Sequence, residues 1–295
     1  MASGTKKTLV AWVVAVLTVA VWAETFVSTK VLLNRGMFPP DIFLIRFLIA
    51  YACMWLVSPG RLFSSSIGDE LLFALLGITG GSAYFLLENS ALRYSPASNV
   101  AILVGSAPLF TALILGLFHK EERMNPKQIA GSFIAFGGMA LVVLNGSRLL
   151  HISPVGDILA VGAALTWGFY SLILREVSPK YDVRFITRKV FGYGVLTIIP
   201  YFLSIMPFSF DFSVLKSPVV WGNLVYLGVV ASLLCFLAWN WALSQLGTVR
   251  VTNLIYGQCL FTMLIAHMVL GERITLMAVA GTAILIVGML MAERR

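Results

Sequence analysis

The sequence predicts an all-α integral membrane protein: ten transmembrane helices arranged as two inverted five-helix repeats, 1–146 and 147–295. Three observations carry that expectation. The chain is 59% hydrophobic and only 12% charged, with a mean hydropathy of +0.91, where soluble domains carry about 25% charged residues. Apolar runs long enough to cross a bilayer core of about 30 Å recur along the whole length. Motifs of the first half return in the second at offsets between 142 and 151 residues.

Apolar runs set against charged or Pro/Gly/Asn-rich breaks place spans near 9–32, 41–58, 70–91, 97–118 and 127–144, then 155–174, 184–206, 219–243, 250–270 and 275–291. The runs are apolar all round and longer than the alternating ~10-residue segments of a β-barrel, so helices satisfy the backbone. The first run is too long for a signal h-region and stays as helix 1. The breaks leave no room for a soluble catalytic domain. Cys53, Cys235 and Cys259 fall within spans without metal or disulfide spacing, so no cofactor or metal is expected. The net charge of +8 comes from cations placed singly at the ends of runs, a topology signal rather than a nucleic-acid face. With the N-terminus inside, fourteen Lys and Arg fall on the cytoplasmic side and seven on the other, which puts both termini in the cytoplasm.

The repeat is visible residue by residue. Trp22 and Trp167 are each followed eight residues on by a cation, Lys30 and Arg175. Phe43-x-x-Arg46 answers Phe185-x-x-Arg188, Asn89-Ser90-Ala91-Leu92 answers Asn240-Trp241-Ala242-Leu243, and Leu109-Phe110-Thr111 answers Leu260-Phe261-Thr262. Five spans per half is an odd number, so the second copy enters the membrane upside-down, which is a transporter architecture.

Ala91-Leu92-Arg93-Tyr94-Ser95-Pro96, Ala107-Pro108-Leu109-Phe110-Thr111-Ala112 and Leu270-Gly271-Glu272-Arg273-Ile274-Thr275 carry a resemblance to the EamA-type branch of the drug/metabolite transporter superfamily, over nearly the whole chain. The first-half turn His119-Lys120-Glu121-Glu122-Arg123 departs from that Gly-Glu-Arg pattern. The resemblance implies ten helices, cytoplasmic termini, a central cavity lined mainly by helices 1, 3, 4, 6, 8 and 9, and export of small metabolites, amino acids or drugs. Ala23-Glu24 with Thr25, Ser28, Thr29 and Lys30 is loosely similar to helix 1 of the small multidrug resistance proteins, which exchange protons for cationic drugs at a buried glutamate.

An intramembrane carboxylate is costly, by about 2.5–3.5 kcal/mol on insertion scales, and marks function by default. Glu24 sits in the first span where the second copy has Phe169, so it is the candidate proton-coupling residue. Glu88 and Arg46 are the candidate gate or ion pair, and Lys30 is expected to snorkel to the interface. Trp22, Tyr84, Glu88, Trp167, Tyr170 and Tyr256 are candidate cavity residues, Tyr84 and Glu88 being four apart on one helical face. Ser28, Asn99 and Asn253 could orient a substrate, although amides also hold helices together in lipid. Gly77-x-x-x-Gly81 reads as close helix packing, His267 as a packed histidine, and Glu121 and Glu272 as helix N-terminal caps. Asn145-Gly146-Ser147 is a glycosylation sequon only in a secretory host.

The expected function is a secondary transporter in a bacterial inner membrane, exporting a small metabolite or amino acid by alternating access, with protons as candidate coupling ion. A multidrug exporter of cationic or aromatic compounds is the alternative. An intramembrane enzyme or sensor is disfavoured because no HExxH, GxSxG or paired intramembrane aspartates occur. No G-x-x-x-x-G-K-[ST] loop is present to power the protein with nucleotide. The lipid bilayer and the small-molecule substrate are its partners.

Overall fold

In the computed structural model the backbone is described for residues 2–95, 97–144, 153–204, 212–258, 261 and 275–293, and the side chains of 2–6, 97–99, 102, 122, 142–144, 212, 278 and 293 are left out. Among these residues every regular element is helical. Helix α1 spans Ala2–Asn34 and α2 spans Pro39–Val57. Helix α3 runs over Ile67–Tyr94. Two shorter helices follow, α4 (Ala97–Val104) and α5 (Ala107–Phe118), then α6 (Pro126–Leu144), α7 (Pro154–Val177) and α8 (Val183–Ser204). Helix α9 covers Pro218–Leu246, α10 is the short Thr248–Thr252, and α11 is Leu276–Glu293. Five of these segments, Lys7–Asn34, α2, α3, α7 and α9, are long and apolar enough to cross a membrane.

The boundaries follow from local chemistry. Pro39, Pro126, Pro154 and Pro218 open their helices, where a missing N–H costs nothing. Asn125 and Gln128 form a reciprocal capping box at the start of α6, with bonds of 2.9 and 3.0 Å. Helix α1 ends in a Schellman turn: Met37 N–H donates to Leu32 C=O and Gly36 N–H to Leu33 C=O. Gly36 takes a φ of +90° there, a conformation that favours glycine. The single span expected over 97–118 is broken between Val104 and Ala107, since Pro108 starts a fresh helix and the Ser106 hydroxyl is turned back onto the Leu103 carbonyl. The span expected over 250–270 begins as the short α10 and passes into a tight turn at Asn253–Gly257.

Helices α3 and α9 share an irregularity. Each widens to π winding in its middle, at Ile78–Ser82 in α3 and at Tyr226–Leu234 in α9. Such segments leave carbonyls off the regular ladder and are frequent at functional sites. Packing places α9 against α1 and α2, α3 and α5 against α7, α2 against α8, and α6 against α11. Gly77 and Gly81 let α3 close on α8, Gly77 lying over the backbone of Tyr193 and Gly194. The core between α2, α7, α8 and α9 is aromatic, built on Phe43, Phe47, Phe191, Phe236 and Trp239.

Lys30 donates its Nζ to the Leu92 carbonyl at 2.6 Å, in the last turn of α3. One expectation about a charge is corrected. Glu121 caps no helix, since Asn125 does that for α6, and instead accepts from Arg175 of α7 at 3.2 Å. His119 bonds Glu176 at 2.9 Å beside it. The α2–α3 connection is fastened to α8: Arg188 donates to the carbonyls of Ser58 and Arg61, and Lys189 to Glu70, whose Oε2 accepts the Ser64 N–H at 2.8 Å. Asp69 accepts from Lys180 at 2.9 Å and from Tyr181 at 2.8 Å. His267, Glu272, Cys259 and the 145–152 junction lie outside the described residues.

Candidate functional site

A cavity of about 40 Å³ lies where α1, α2, α3, α4, α5, α7 and α9 meet the Asn253–Gly257 turn. That is room for about three water molecules at ~10–15 Å³ each, below the ~300–1,000 Å³ of ligand pockets, so a substrate enters only as the walls move apart. Five of its twelve lining residues are aromatic and form one continuous wall. Trp22 and Trp167 meet edge to face with centroids 5.6 Å apart, and Tyr84 packs on Trp167 at 5.2 Å. Trp22 is fixed from two sides: its indole N–H donates to the Ala231 carbonyl at 2.9 Å, in the π segment of α9, while its own carbonyl accepts from Gln258 at 3.1 Å.

Two buried ionisable side chains open on this cavity. Arg46, 2% exposed, enters from α2. Its Nε donates to Ser232 Oγ at 3.0 Å, again in the π segment, and its guanidinium lies 4.2 Å over the Phe85 ring. Its terminal nitrogens take no protein acceptor among the described residues, which leaves free the fork that matches a carboxylate. Glu88, 7% exposed, enters from α3. Its Oε1 accepts from Tyr84 at 3.1 Å, and Oε2 takes no protein donor among the described residues. The two charges feel each other electrostatically, yet no direct ion pair joins them among the described residues. Each is oriented by a neighbour rather than by its opposite.

Of the residues singled out in the sequence, Trp22, Tyr84, Glu88, Trp167 and Arg46 share this cavity. The other described ones lie elsewhere. Glu24 is half-buried on another face of α1, where it accepts from Ser28 at 3.5 Å, and Tyr226 donates to the Val21 carbonyl of the same helix at 2.8 Å. Tyr170 is buried in the core, donating to Asn240 at 2.7 Å, and Asn240 donates to Thr187 at 3.1 Å. Tyr256 packs with Ala135, Met139 and Leu285 between α6 and α11. Asn253 borders a separate groove beside Trp12 and Arg250. The Asn99 side chain lies outside the described residues. The difference has a physical cause, since periodicity places a residue in a span but not on a particular face of its helix.

Thr25, Phe85, Val104, Ala107, Phe236, Ile255 and Gln258 complete the lining. Most of them carry a signal that the sequence holds. Phe85 and Phe236, Val104 and Ile255, and Ala107 and Gln258 are pairs spaced 151 apart, and Trp22 and Trp167 are spaced 145 apart. The matching fails at four polar positions, where Glu88 answers Trp239, Tyr84 answers Cys235, Thr25 answers Tyr170 and Arg46 answers Arg188, none of these partners lining the cavity.

The EamA-like transporter family model matches residues 9–144 and again 154–293. The chain belongs to the EamA-like transporter family. Its long apolar helices accordingly make it a multi-pass membrane protein of a transporter family. It is similar to an "Uncharacterized transporter" of Archaeoglobus fulgidus, 28% identical over 92% of this chain and 93% of the relative. It is similar to a "Probable terminal-alkyne amino-acid exporter" of Streptantibioticus cattleyicolor, 28% identical over 95% and 92%. A "Probable amino-acid metabolite efflux pump" of Escherichia coli is 25% identical over 94% and 92%. A crystal structure matches with a TM-score of 0.72 over 96% of both chains at 20% identity, a likeness of fold.

Proposed function

We propose that this EamA-like protein exports small amino acids or close amino-acid metabolites by alternating access, and that Arg46 and Glu88 recognise the two charges of the zwitterion. The observation that carries the reading is the pairing in one small cavity of a guanidinium fork and a carboxylate, each held by a neutral neighbour and each with atoms left over. A substrate carboxylate takes the Arg46 fork, its ammonium takes Glu88 Oε2, and an apolar side chain packs on Trp22, Trp167 and Phe236. Buried charges are costly unless paired, so a zwitterion that neutralises both is bound in preference to a singly charged analogue. The amino-acid exporters among the relatives support this class.

In this reading 1–146 and 147–295 are inverted five-helix repeats with cytoplasmic termini. The four matched lining pairs support that arrangement, because residues related by a two-fold axis face one another across it. The matched π segments of α3 and α9 are the places where each half bends as the cavity changes sides.

Counterflow in proteoliposomes tests the reading. Vesicles loaded with an unlabelled aliphatic amino acid are expected to accumulate the labelled one transiently and saturably. Absence of counterflow across an amino-acid panel, with uptake of an aromatic cation instead, would replace it with the multidrug alternative that the aromatic walls also suit.

A further inference from the structure

Asp41 is not used by the cavity. It lies in the first turn of α2, fully buried, and its carboxylate approaches the Phe38 amide without either oxygen completing a hydrogen bond. Beside it Asn89 of α3, also fully buried, donates its amide to the Pro39 carbonyl of the same turn at 3.3 Å, and its Oδ1 has no donor. Three acceptor oxygens are thus buried around one helix turn with no protein donor among the described residues. The matched position in the second half behaves differently. Asn240, 151 residues on, has its Oδ1 filled by Tyr170 and its amide by Thr187. Among the described residues no donor of the first half fills Asn89 Oδ1 as that tyrosine fills Asn240 Oδ1.

Surrounding charges do not meet the need. Arg46, on the same helix, donates its Nε to Ser232 and lines the cavity rather than this turn, and Lys30 of α1 donates to the Leu92 carbonyl. Arg93 of α3 lies over the Phe38 ring at 5.0 Å, exposed, while Arg35 and Lys216 are exposed at the rim of α1 and before α9. Glu88, next to Asn89, adds a further negative charge. We infer that the first turn of α2 and Asn89 form a binding site for a small hard cation, a proton or Na+, with Asp41 as its anionic ligand. An all-oxygen, acceptor-only set suits such an ion, and an isolated buried carboxylate is otherwise too costly to keep. Asp41 shares α2 with Arg46, and Asn89 follows Glu88 on α3, so occupancy of this site is felt by both charges that read the substrate. The coupling role, resting on the transporter reading above, is to let the ion drive export.

The binding claim is testable without transport. Thermal unfolding of the full-length protein in detergent is followed with increasing NaCl against choline chloride at pH 8, and across pH 5.5 to 8 without Na+. A sodium site gives a saturable rise in Tm of about 2 °C or more with Na+ alone; a proton site gives it only on acidification. Asp41→Asn, a neutral isostere, is expected to lose whichever response the wild type shows. Binding of labelled Na+ and proton uptake by unbuffered wild-type protein supply the same answer should the variant fold poorly. Identical Na+ and pH responses in the wild type and Asp41→Asn would overturn the proposal, as would a response that disappears with Glu24→Gln instead. Counterflow by the wild type, scored separately, reports on the transporter reading whatever the cation result.

Discussion

Glu88→Gln is expected to raise the half-saturating substrate concentration by at least ~30-fold, with little effect on folding. The reasoning is electrostatic. Removing one partner of a buried, hydrogen-bonded charge pair costs about 2–5 kcal/mol, much of it from the charge left behind, and each 1.4 kcal/mol is about tenfold. Here the substrate ammonium loses its counter-charge in a cavity walled by Trp22, Tyr84, Phe85 and Trp167. The amide keeps an oxygen for the Tyr84 hydroxyl, which now donates at 3.1 Å, so the aromatic wall stays in place. Glu24→Gln is the matched comparison. Glu24 lies off the cavity with Ser28 as its partner, and a change away from such features stays within about 0.5 kcal/mol, about a factor of two in affinity. Concentration dependence of counterflow for both variants, with size-exclusion profiles to check the fold, measures the difference.

The second large effect concerns stability. Gly138→Ala is expected to destabilise the protein by about 1–3 kcal/mol, as overpacking does, and Gly138→Val by more. Helices α6 and α11 approach so closely that a Cβ on Gly138 would land on the backbone of Leu285. Gly131 faces the backbone of Met291 and Ala292 in the same seam, and Gly288 faces that of Ala135. Small residues are how membrane helices come close when lipid supplies no hydrophobic drive between them. Backbone cannot swing aside as a flexible side chain does, so the helices must part. Gly137→Ala, whose Cβ meets nothing within 4 Å, is the control and is expected to unfold with the wild type. Thermal size-exclusion in detergent compares the three.

Much of this was legible in the sequence for physical reasons. Run length and charge content give membrane helices because a bilayer imposes length and forbids unpaired backbone. The matched Trp22 and Trp167 were legible because duplication preserves spacing, and they meet in the cavity. Facing was harder to read. Glu24 and Glu88 look alike as acids in apolar runs, and what separates them is a rotation about the helix axis set by neighbours far away in sequence. Lys30 likewise could not be paired with the Leu92 carbonyl, because a backbone acceptor leaves no mark in sequence. The π segments are equally silent, yet one of them supplies Ser232 to Arg46 and the Ala231 carbonyl to Trp22. Asp41 is silent in the sequence, because an acid beside Pro39 and Pro40 has the form of an ordinary first-turn residue of a helix.

The central claim is that one cavity reads two opposite charges on the same substrate. Competition on counterflow of a labelled aliphatic amino acid tests it most directly, using three competitors that share one side chain: the amino acid, its decarboxylated amine and its deaminated acid. The account predicts that the amino acid competes at least ~30-fold better than either singly charged analogue, each of which leaves Arg46 or Glu88 buried without a partner. Equal competition by the amine and the amino acid would contradict it, leaving an aromatic cation site in which Arg46 takes no part in recognition.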